Sequence, residues 1–248
     1  MSNEKEISQY FKLLSKVENI NFKYEDHIVL LTFDDNYVDQ TINLILSIAK
    51  YHPQNVSYIC MCPPLRESNI KSLLCLKQGI QVNCYEYTPI IDSGKWPHCA
   101  MFRLFAAWLL EEKVEKVLYM DSDILCTGSL KKLFDTDVQY IAMCNEIGGN
   151  TVDKLLRERM PAHIYCNSGV AVFNLETFRK EYSFNILCEA LIDVKEKLVF
   201  PDQDFLNLFY LERMQDTHKT VRTADKLCSE QEEIRDFQGS GFRKQGQS

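Results

Sequence analysis

The segment Asp121-Ser122-Asp123 places two carboxylates one residue apart, directly after the apolar run Val117–Met120. A short apolar run of this kind predicts a buried strand that delivers both acids to the edge of a sheet. Two carboxylates facing an apolar interior would repel each other, and a divalent cation between them relieves that repulsion. Oxygen-rich sites with open positions suit Mg²⁺ or Mn²⁺, which often also hold a substrate phosphate. The motif alone predicts a metal-assisted phosphate or nucleotide site, with a solvated turn as the competing interpretation.

A second polar group, Asp34, Asn36 and Tyr37, follows the predicted strand His27–Phe33. Ligand crevices in open α/β sheets form at the carboxyl ends of strands. A planar base could stack on Tyr37, and the Asp34 or Asn36 side chain could bind the base or a ribose. An ordinary turn accounts for the same residues and is favoured without other evidence. No Gly-x-Gly-x-x-Gly or Walker sequence is present, which makes a metal clamp for phosphates more plausible.

Three further segments carry polar groups in unusual places. Arg103 lies within the otherwise apolar run Met101–Leu110, where it must pair with an acid or a phosphate unless its head reaches solvent. The small polar residues 167–169 begin an apolar strand and indicate either a close ligand or a simple bulge. The acids and amide at 202–204 open a helix, where they stabilise the helix dipole or bind sugar hydroxyls.

The order of the apolar patterns predicts the fold class. Strands that alternate with helices predict an α/β domain, with a mainly parallel central sheet flanked by helices. The patterns predict strands at 27–33, 56–61, 80–87, 116–120, 140–145 and 165–174, and helices at about 5–18, around 42–49, and at 65–77, 100–111, 151–160, 175–197 and from 201. We expect a loop over 88–98, where Pro89, Gly94 and Pro97 fall.

Length and composition narrow the possible classes of protein. The 248 residues predict a helical extension at 1–25, one Rossmann-like domain at 26–228 and a disordered tail at 229–248. A net charge of -7 argues against a broad basic surface for nucleic acid. Ten scattered cysteines without a Cys-x-x-Cys pair favour reduced core thiols and a cytoplasmic location. No run is long enough to span a membrane, and peripheral contact with a membrane surface is left open.

Taken together and in order, four segments resemble glycosyltransferase family 8, the retaining enzymes of the GT-A fold that include lipopolysaccharide galactosyl- and glucosyltransferases and glycogenin. The resemblance covers about residues 27 to 210, and each motif is weak by itself while the order and spacing are specific. The segments are Thr32-Phe33-Asp34-Asp35-Asn36-Tyr37, Phe102-Arg103-Leu104 with Val117-Leu118-Tyr119-Met120-Asp121-Ser122-Asp123, Asn167-Ser168-Gly169-Val170, and Asp202-Gln203-Asp204-Phe205-Leu206-Asn207.

The resemblance implies a role for each matching residue. A uridine diphosphate (UDP) sugar would be the donor, and Mn²⁺ or Mg²⁺ would be held by Asp121 and Asp123. Asp202 and Gln203 match contacts to the donor sugar and are the candidate catalytic residues, and Gln203 corresponds to the polar group under the anomeric carbon. Four residues match the positions that bind the uridine: Thr32, Asp34, Asn36 and Tyr37. Arg103 matches the arginine near the donor sugar and the acid pair, Asn167 matches a donor-sugar contact, and Ser122 also matches a position that binds the UDP-sugar.

One departure from the family pattern concerns the C-terminal part of the chain. The family supplies a late His-x-x-Gly-x-x-Lys segment, whose histidine is the third metal ligand and whose lysine meets the diphosphate. After Asp204 the one histidine is His218, and no glycine follows it at the required spacing. No segment of this form is present in the sequence.

Three functions compete at this stage. The leading one is a metal-dependent retaining transfer of a hexose, glucose or galactose, from a UDP-sugar to a glycan or other acceptor. The second is a nucleotide-sugar-binding protein of weak or no activity, which the missing histidine favours and the Asp121/Asp123 pair opposes. The third, a nucleotidyltransferase, normally needs a glycine-rich loop after its first strand, and Asp34-Asp35-Asn36-Tyr37 is not one.

Overall fold

The computed structural model describes residues 11–18, 25–76, 80–89, 98–145, 165–214 and 234–236. Its elements alternate between strands and helices along most of the chain. The strands are β1 Phe11–Glu18, β2 His27–Thr32, β3 Val56–Cys62, β4 Gln81–Pro89, β5 Lys116–Met120, β6 Ile124–Cys126, β7 Ile141–Asn145, β8 Cys166–Asn174 and β9 Ile234–Asp236. The helices are α1 Val38–Tyr51, α2 Glu67–Leu74, α3 Phe102–Leu109, α4 Lys131–Phe134, α5 Leu175–Glu181, α6 Phe184–Val194 and α7 Pro201–Met214, with 3₁₀ turns at His98–Met101 and Lys195–Lys197.

One sheet of seven strands, in the order β1-β4-β3-β2-β5-β8-β7, forms the centre of the molecule. Strands β4, β3, β2 and β5 pair in parallel, whereas β1, β8 and β7 each join their neighbours antiparallel. Five strands therefore share one direction, and β1 and β8 run against it. The predicted α/β class with a mainly parallel sheet flanked by helices is confirmed.

Apolar residues alternate along the central strands and bury both faces of the sheet. On β2, Leu30 packs in the core beneath α3, α5, α6 and α7, while its neighbours Val29 and Leu31 pack beneath α1 and α2. All three side chains are fully buried. Successive side chains of a strand point to opposite faces, so a continuous apolar run supplies both cores at once. The same alternation sends Tyr119 of β5 to the first core and Met120 to the second.

The N-terminal prediction is wrong where the structure describes it. Residues 11–18, predicted as part of a helical extension, form strand β1, which pairs with β4 from Phe11 opposite Pro89 to Glu18 opposite Asn83. The unpaired backbone edge of β4 supplies these hydrogen bonds, and a local apolar pattern carries no information about such a distant partner. This segment extends the sheet rather than lying outside it.

Two other predictions need adjustment, and two lie wholly or mostly outside the described residues. The tail prediction of disorder is wrong for residues 234–236, which pair antiparallel with β6, and its other residues lie outside the described ranges. The predicted helix 175–197 is divided, because the chain turns extended at Tyr182 and the Ser183 hydroxyl accepts from Ile186 N at 3.3 Å to begin α6. The predicted helix 151–160 lies outside the described residues, as does most of the loop 88–98.

Two composition-based predictions concern the cysteines and membrane-spanning helices. None of the nine cysteines in the described ranges forms a disulfide, and eight are buried while Cys75 is exposed. The expectation of small core thiols is thus met for those eight. Among the described residues, none of the helices has both the length and the hydropathy needed to cross a bilayer.

Candidate functional site

The chemistry-bearing segments meet at the carboxyl ends of β2 and β5, beside the start of β8. Strand β8 runs antiparallel to β5, so its first residues lie next to the last residues of β5. The backbone N–H of Asp121 donates to the carbonyl of Gly169 at 2.8 Å and fixes this junction. The segments that sequence patterns treat separately are therefore brought together by the sheet.

Arg103 of α3 lies at the centre of the site and is nearly fully buried. Its Nη2 lies 2.8 Å from Oδ1 of Asp121, and its Nη1 lies 3.3 Å from Oδ2 of Asp202. Nη1 also donates to the carbonyl of Ser168 at 3.1 Å, and Nε donates to the carbonyl of Ala100 at 3.1 Å. The pairing alternative for Arg103 is confirmed, and the alternative in which its head reaches solvent is wrong.

The charge of Arg103 is fixed by its neighbours. Burial alone would lower the pKa of the guanidinium, but the carboxylates of Asp121 and Asp202 raise it above its ordinary value. A planar guanidinium can bind two carboxylates with fixed geometry, which a lysine ammonium cannot do. Arg103 therefore remains a cation that joins the end of β5 to the first turn of α7.

The first turn of α7 is fastened to β8 by Ser168. The Ser168 hydroxyl donates to Oδ2 of Asp202 at 3.1 Å, and the Ser168 backbone N–H donates to Oε1 of Gln203 at 2.9 Å. The other end of the Gln203 amide, Nε2, donates to the hydroxyl of Tyr165 at 3.0 Å. Gln203 is thus held at both ends of its amide, and its side chain has a defined orientation.

Tyr165 and Asp204 support Gln203 from behind. The Tyr165 hydroxyl donates to Oδ1 of Asp204 at 2.6 Å, while Oδ2 of Asp204 accepts from the backbone N–H groups of Val199 and Phe200. Burial and then the hydrogen bond to Asp204 raise the pKa of Tyr165, so the phenol keeps its proton. Asp204 satisfies backbone groups at the helix start, which is the dipole and capping role expected for this position.

The turn after β2 lies beside the acid pair. Tyr37 is 40% exposed, and burial, followed by the negative charges of Asp123 and Asp34, raises its pKa. Oδ1 of Asp34 accepts from Asn36 N at 2.8 Å, so the ordinary-turn interpretation also holds. The exposed aromatic ring of Tyr37, next to two acids at a strand end, is accessible for stacking against a base.

Thr32, which the family resemblance also assigns to uridine, lies in different surroundings from Asp34, Asn36 and Tyr37. Its side chain is buried, and its Oγ1 lies 3.1 Å from the hydroxyl of Tyr119. The Tyr119 hydroxyl in turn donates to Oδ1 of Asp121 at 2.7 Å. Tyr119 has no role predicted from the sequence. Its spacing of two residues from Asp121 nevertheless places both side chains on one side of the chain.

Asn167 and Gly169 shape the space beside Asp121. Oδ1 of Asn167 accepts from the backbone N–H of Gly169 at 2.8 Å. A Cβ atom at position 169 would lie 2.8 Å from Oδ2 of Asp121 and 2.9 Å from Oδ1 of Asn167, closer than real Cβ contacts allow. The glycine is required here for close approach, because any side chain would displace the carboxylate.

The acid pair offers oxygen ligands of the kind that Mg²⁺ and Mn²⁺ prefer. Both hydrogen bonds that Asp121 accepts from Tyr119 and Arg103 end on Oδ1, and Oδ2 faces Gly169. Between the acids in the sequence, the hydroxyl of Ser122 is buried without a hydrogen-bond partner in the protein, so it is available to a bound group. The residues present therefore fit a hard divalent cation. Within the described ranges, no group of three or more His, Cys, Asp or Glu ligands occurs.

Comparison with known proteins gives the family of this chain. The chain belongs to glycosyltransferase family 8, because the model of that family, Glycosyl transferase family 8, matches residues 28–224. The predicted family is confirmed.

Individual relatives agree with this family. A lipopolysaccharide 1,2-glucosyltransferase of Escherichia coli is 31% identical over 127 residues, which are 48% of this chain and 37% of the relative. A lipopolysaccharide 1,3-galactosyltransferase of Salmonella typhimurium is 23% identical over 154 residues, 59% of this chain and 46% of the relative. The match spans less than half the length of either relative.

Solved structures confirm the GT-A fold. The crystal structure of galactosyltransferase LgtC in complex with donor and acceptor sugar analogues superposes with a TM-score of 0.62 at 21% identity, covering 74% of this chain and 70% of that one. Another LgtC structure gives a TM-score of 0.66 at 19% identity, with 86% of this chain and 88% of that chain covered.

Proposed function

We propose that this protein transfers a hexose, glucose or galactose, from a UDP-sugar to a saccharide acceptor with retention of configuration at the anomeric carbon. The observation that carries the proposal is Arg103, which joins Asp121 at the end of β5 to Asp202 at the start of α7. It links the acid pair, suited to a diphosphate and its cation, to the residues suited to a sugar. A UDP-sugar contains both parts, joined by the bond that must break.

The nucleotide half of the donor would lie along the ends of β2 and β5. Tyr37 offers an exposed ring for the uracil, and Asp34 and Asn36 offer polar atoms in the adjoining turn. The Ser122 hydroxyl, buried and without a partner, would gain one from the ribose or diphosphate. The absence of a glycine-rich phosphate loop in the sequence agrees with phosphate binding through a cation instead.

Asp121 and Asp123 would hold that cation, Mn²⁺ or Mg²⁺. When bound, such an ion neutralises charge that builds up on the leaving diphosphate, without requiring a protonated side chain. Asp121 is prepared for this role because Arg103 and Tyr119 fix one of its oxygens. Its other oxygen faces the space that Gly169 leaves open.

The sugar half would lie against β8 and α7. Asp202 and Asn167 supply acceptors for sugar hydroxyls, and Gln203 supplies an amide whose orientation Ser168 N and the Tyr165 hydroxyl define. Positive charge that develops on the anomeric carbon is stabilised by nearby oxygens. An amide is a poor nucleophile, so front-face attack by the acceptor is our hypothesis for retention. A glycosyl adduct trapped on any side chain would overturn it.

Calorimetric titration with UDP tests the donor site. We expect binding to strengthen on addition of Mn²⁺ in the wild type and to lose most of that gain in Asp123→Ala. Asp193→Ala, which removes an exposed acid from α6, is the matched control and should behave as the wild type. UDP binding that ignores both Mn²⁺ and the Asp123 substitution would contradict the metal clamp.

Donor hydrolysis and transfer assays test the reaction itself. UDP-glucose and UDP-galactose should release UDP in the presence of Mn²⁺, and the corresponding guanosine diphosphate sugars should not. The configuration of the transferred sugar, measured by nuclear magnetic resonance, should match that of the donor. An inverted product would refute the retaining mechanism while leaving donor binding intact.

A second candidate, a nucleotide-sugar-binding protein of weak or no activity, is favoured by one observation. Within the described part of the chain, no third His, Cys, Asp or Glu joins Asp121 and Asp123 in a cluster that could hold a metal. The two candidates differ in one result. The binding protein would show Mn²⁺-dependent UDP affinity without release of UDP from any donor sugar, and the transferase would show both.

A further inference from the structure

Tyr119 lies completely buried beneath the site and makes side-chain contacts in three directions. Its hydroxyl is 2.7 Å from Oδ1 of Asp121 and 3.1 Å from Oγ1 of Thr32. Its ring lies beneath the Arg103 guanidinium, whose carbon is 4.0 Å from the ring centroid. One side chain thus touches the acid at the end of β5, the last residue of β2 and the central cation.

We propose that Tyr119 is a positioning residue of the transfer site, which fixes the Asp121 carboxylate with its hydroxyl and the Arg103 guanidinium with its ring. The inference rests on the proposed function, since it concerns how that site is held ready for its cation and diphosphate. The Tyr119 side chain is buried and does not itself reach the ligand, so it acts through Asp121 and Arg103.

The direction of the hydrogen bonds follows from counting protons. An ionised carboxylate can accept but not donate, so the single proton of the Tyr119 hydroxyl is used by Asp121. The Thr32 hydroxyl must therefore donate to Tyr119. A donor to a phenol oxygen polarises the phenol and strengthens the bond that the phenol makes in turn. Thr32, which the family resemblance assigns to uridine, would therefore also support Asp121 from the end of β2.

The consequence for Asp121 is a fixed carboxylate. Tyr119 and Arg103 approach the same oxygen, Oδ1, from two sides, which sets the rotation of the group. Oδ2 is then directed to the space beside Gly169. Loss of a group that orients a metal-binding carboxylate typically lowers metal affinity about tenfold to a hundredfold.

Other buried tyrosines of the sheet show what a purely structural hydroxyl does. Tyr87 is equally buried, lies in the same core as Tyr119, and donates to the backbone carbonyl of Leu109 at 2.9 Å. Replacing either tyrosine by phenylalanine keeps the ring and removes one buried hydroxyl. The pair therefore separates a loss of stability from a loss of positioning.

The test compares Tyr119→Phe with Tyr87→Phe in the full chain. The readouts are the Mn²⁺ concentration that gives half of the metal-dependent gain in UDP affinity, measured by calorimetry, and the thermal unfolding midpoint. We expect Tyr119→Phe to raise that Mn²⁺ concentration roughly tenfold to a hundredfold. Tyr87→Phe should leave that Mn²⁺ concentration unchanged. Both variants should lower the thermal unfolding midpoint by a similar amount.

Thr32→Val provides a graded second variant, which keeps the inference testable if Tyr119→Phe does not fold. It removes the donor to Tyr119 but leaves the bond from Tyr119 to Asp121, so we expect a smaller rise of about threefold in the same Mn²⁺ concentration.

Two negative results have different meanings. Wild-type protein whose UDP binding ignores Mn²⁺ would overturn the proposed metal-dependent function and this inference with it. Wild-type protein with Mn²⁺-dependent binding, combined with a Tyr119→Phe or Thr32→Val variant that matches Tyr87→Phe, would overturn the positioning role alone.

Discussion

Two pairs of polar residues share the first two turns of α7 and differ in what surrounds them. Asp202 and Gln203 point to the site, where Arg103 and Ser168 bind them. Asp204 and Asn207 point into the fold, where they bind backbone groups. The residue types are nearly the same, so the neighbours decide the role. An acid beside a buried cation becomes part of a site, and an acid beside unsatisfied N–H groups becomes a cap.

Asn207 makes the clearest contribution to the fold. It is fully buried, its Oδ1 accepts from Cys166 N at 2.8 Å, and its Nδ2 donates to the Cys166 and Gln203 carbonyls. All its hydrogen bonds therefore end on backbone groups of β8 and α7. The two pairs should respond differently to substitution, and three of the following four predictions test that difference.

The largest effect is expected from Asp202→Asn. It removes one of the two carboxylates that neutralise Arg103 and a proposed sugar contact, so we expect transfer to fall about a hundredfold or more. The free energy of unfolding should change by less than about 1 kcal/mol, because an amide keeps the shape and one oxygen acceptor. Steady-state kinetics and urea unfolding measure the two quantities. Equal losses in activity and stability would remove the distinction between the pairs.

The converse substitution is Asn207→Ala. It removes the hydrogen bonds that the buried Cys166 backbone N–H and carbonyl make with the Asn207 side chain, and we expect a loss of roughly 2–3 kcal/mol in the free energy of unfolding. UDP affinity of the folded protein should stay within about threefold of wild type. Asn185→Ala, at a half-buried position in α6, is the control and should cost less than about 1 kcal/mol. A large loss of UDP affinity would place Asn207 with the site.

Gly169→Ala tests the space beside Asp121. Its Cβ would lie 2.8 Å from Oδ2 of Asp121, so the carboxylate must move. We expect the Mn²⁺-dependent part of UDP binding to weaken about tenfold, since displaced ligands lose metal affinity. Calorimetry with and without Mn²⁺ measures this part separately. Unchanged Mn²⁺ dependence would show that Asp121 does not need its present position.

The smallest effect is expected from Tyr165→Phe. Tyr165 connects the two pairs. Its hydroxyl accepts from Gln203 Nε2 and donates to Asp204. We expect kcat to fall about threefold to fivefold as Gln203 loses orientation, with KM for the donor little changed and about 1 kcal/mol lost in stability. An effect on stability alone would assign Tyr165 to the fold.

Local sequence patterns were sufficient for most of the central sheet. The apolar runs at 27–33, 56–61 and 116–120 predicted β2, β3 and β5, since a strand buried on both faces needs little information from elsewhere. Strand β1 was predicted as a helix because its partner, β4, lies far along the chain. Ile234–Asp236 was missed for the same reason, as it pairs with β6 across more than a hundred residues.

The candidate site was predictable in part. Asp121, Asp123 and Arg103 stand out because acids after an apolar run and a cation within one are unusual. Gln203 is assigned by the family resemblance. Tyr119 and Tyr165 do not stand out, because a tyrosine in an apolar strand is ordinary core composition. Their roles depend on which partner each hydroxyl binds in the folded protein, and a linear sequence pattern does not contain that information.

The sequence by itself determined the family, the order of the motifs and which side chains carry charge. Only the tertiary structure decided which of them meet. Arg103 reaches Asp121 and Asp202 across 18 and 99 positions of the chain, and Thr32 reaches Tyr119 across 87. The physical reason is that a buried charge or hydroxyl must find a partner, and the folded sheet determines which partner lies within hydrogen-bond distance.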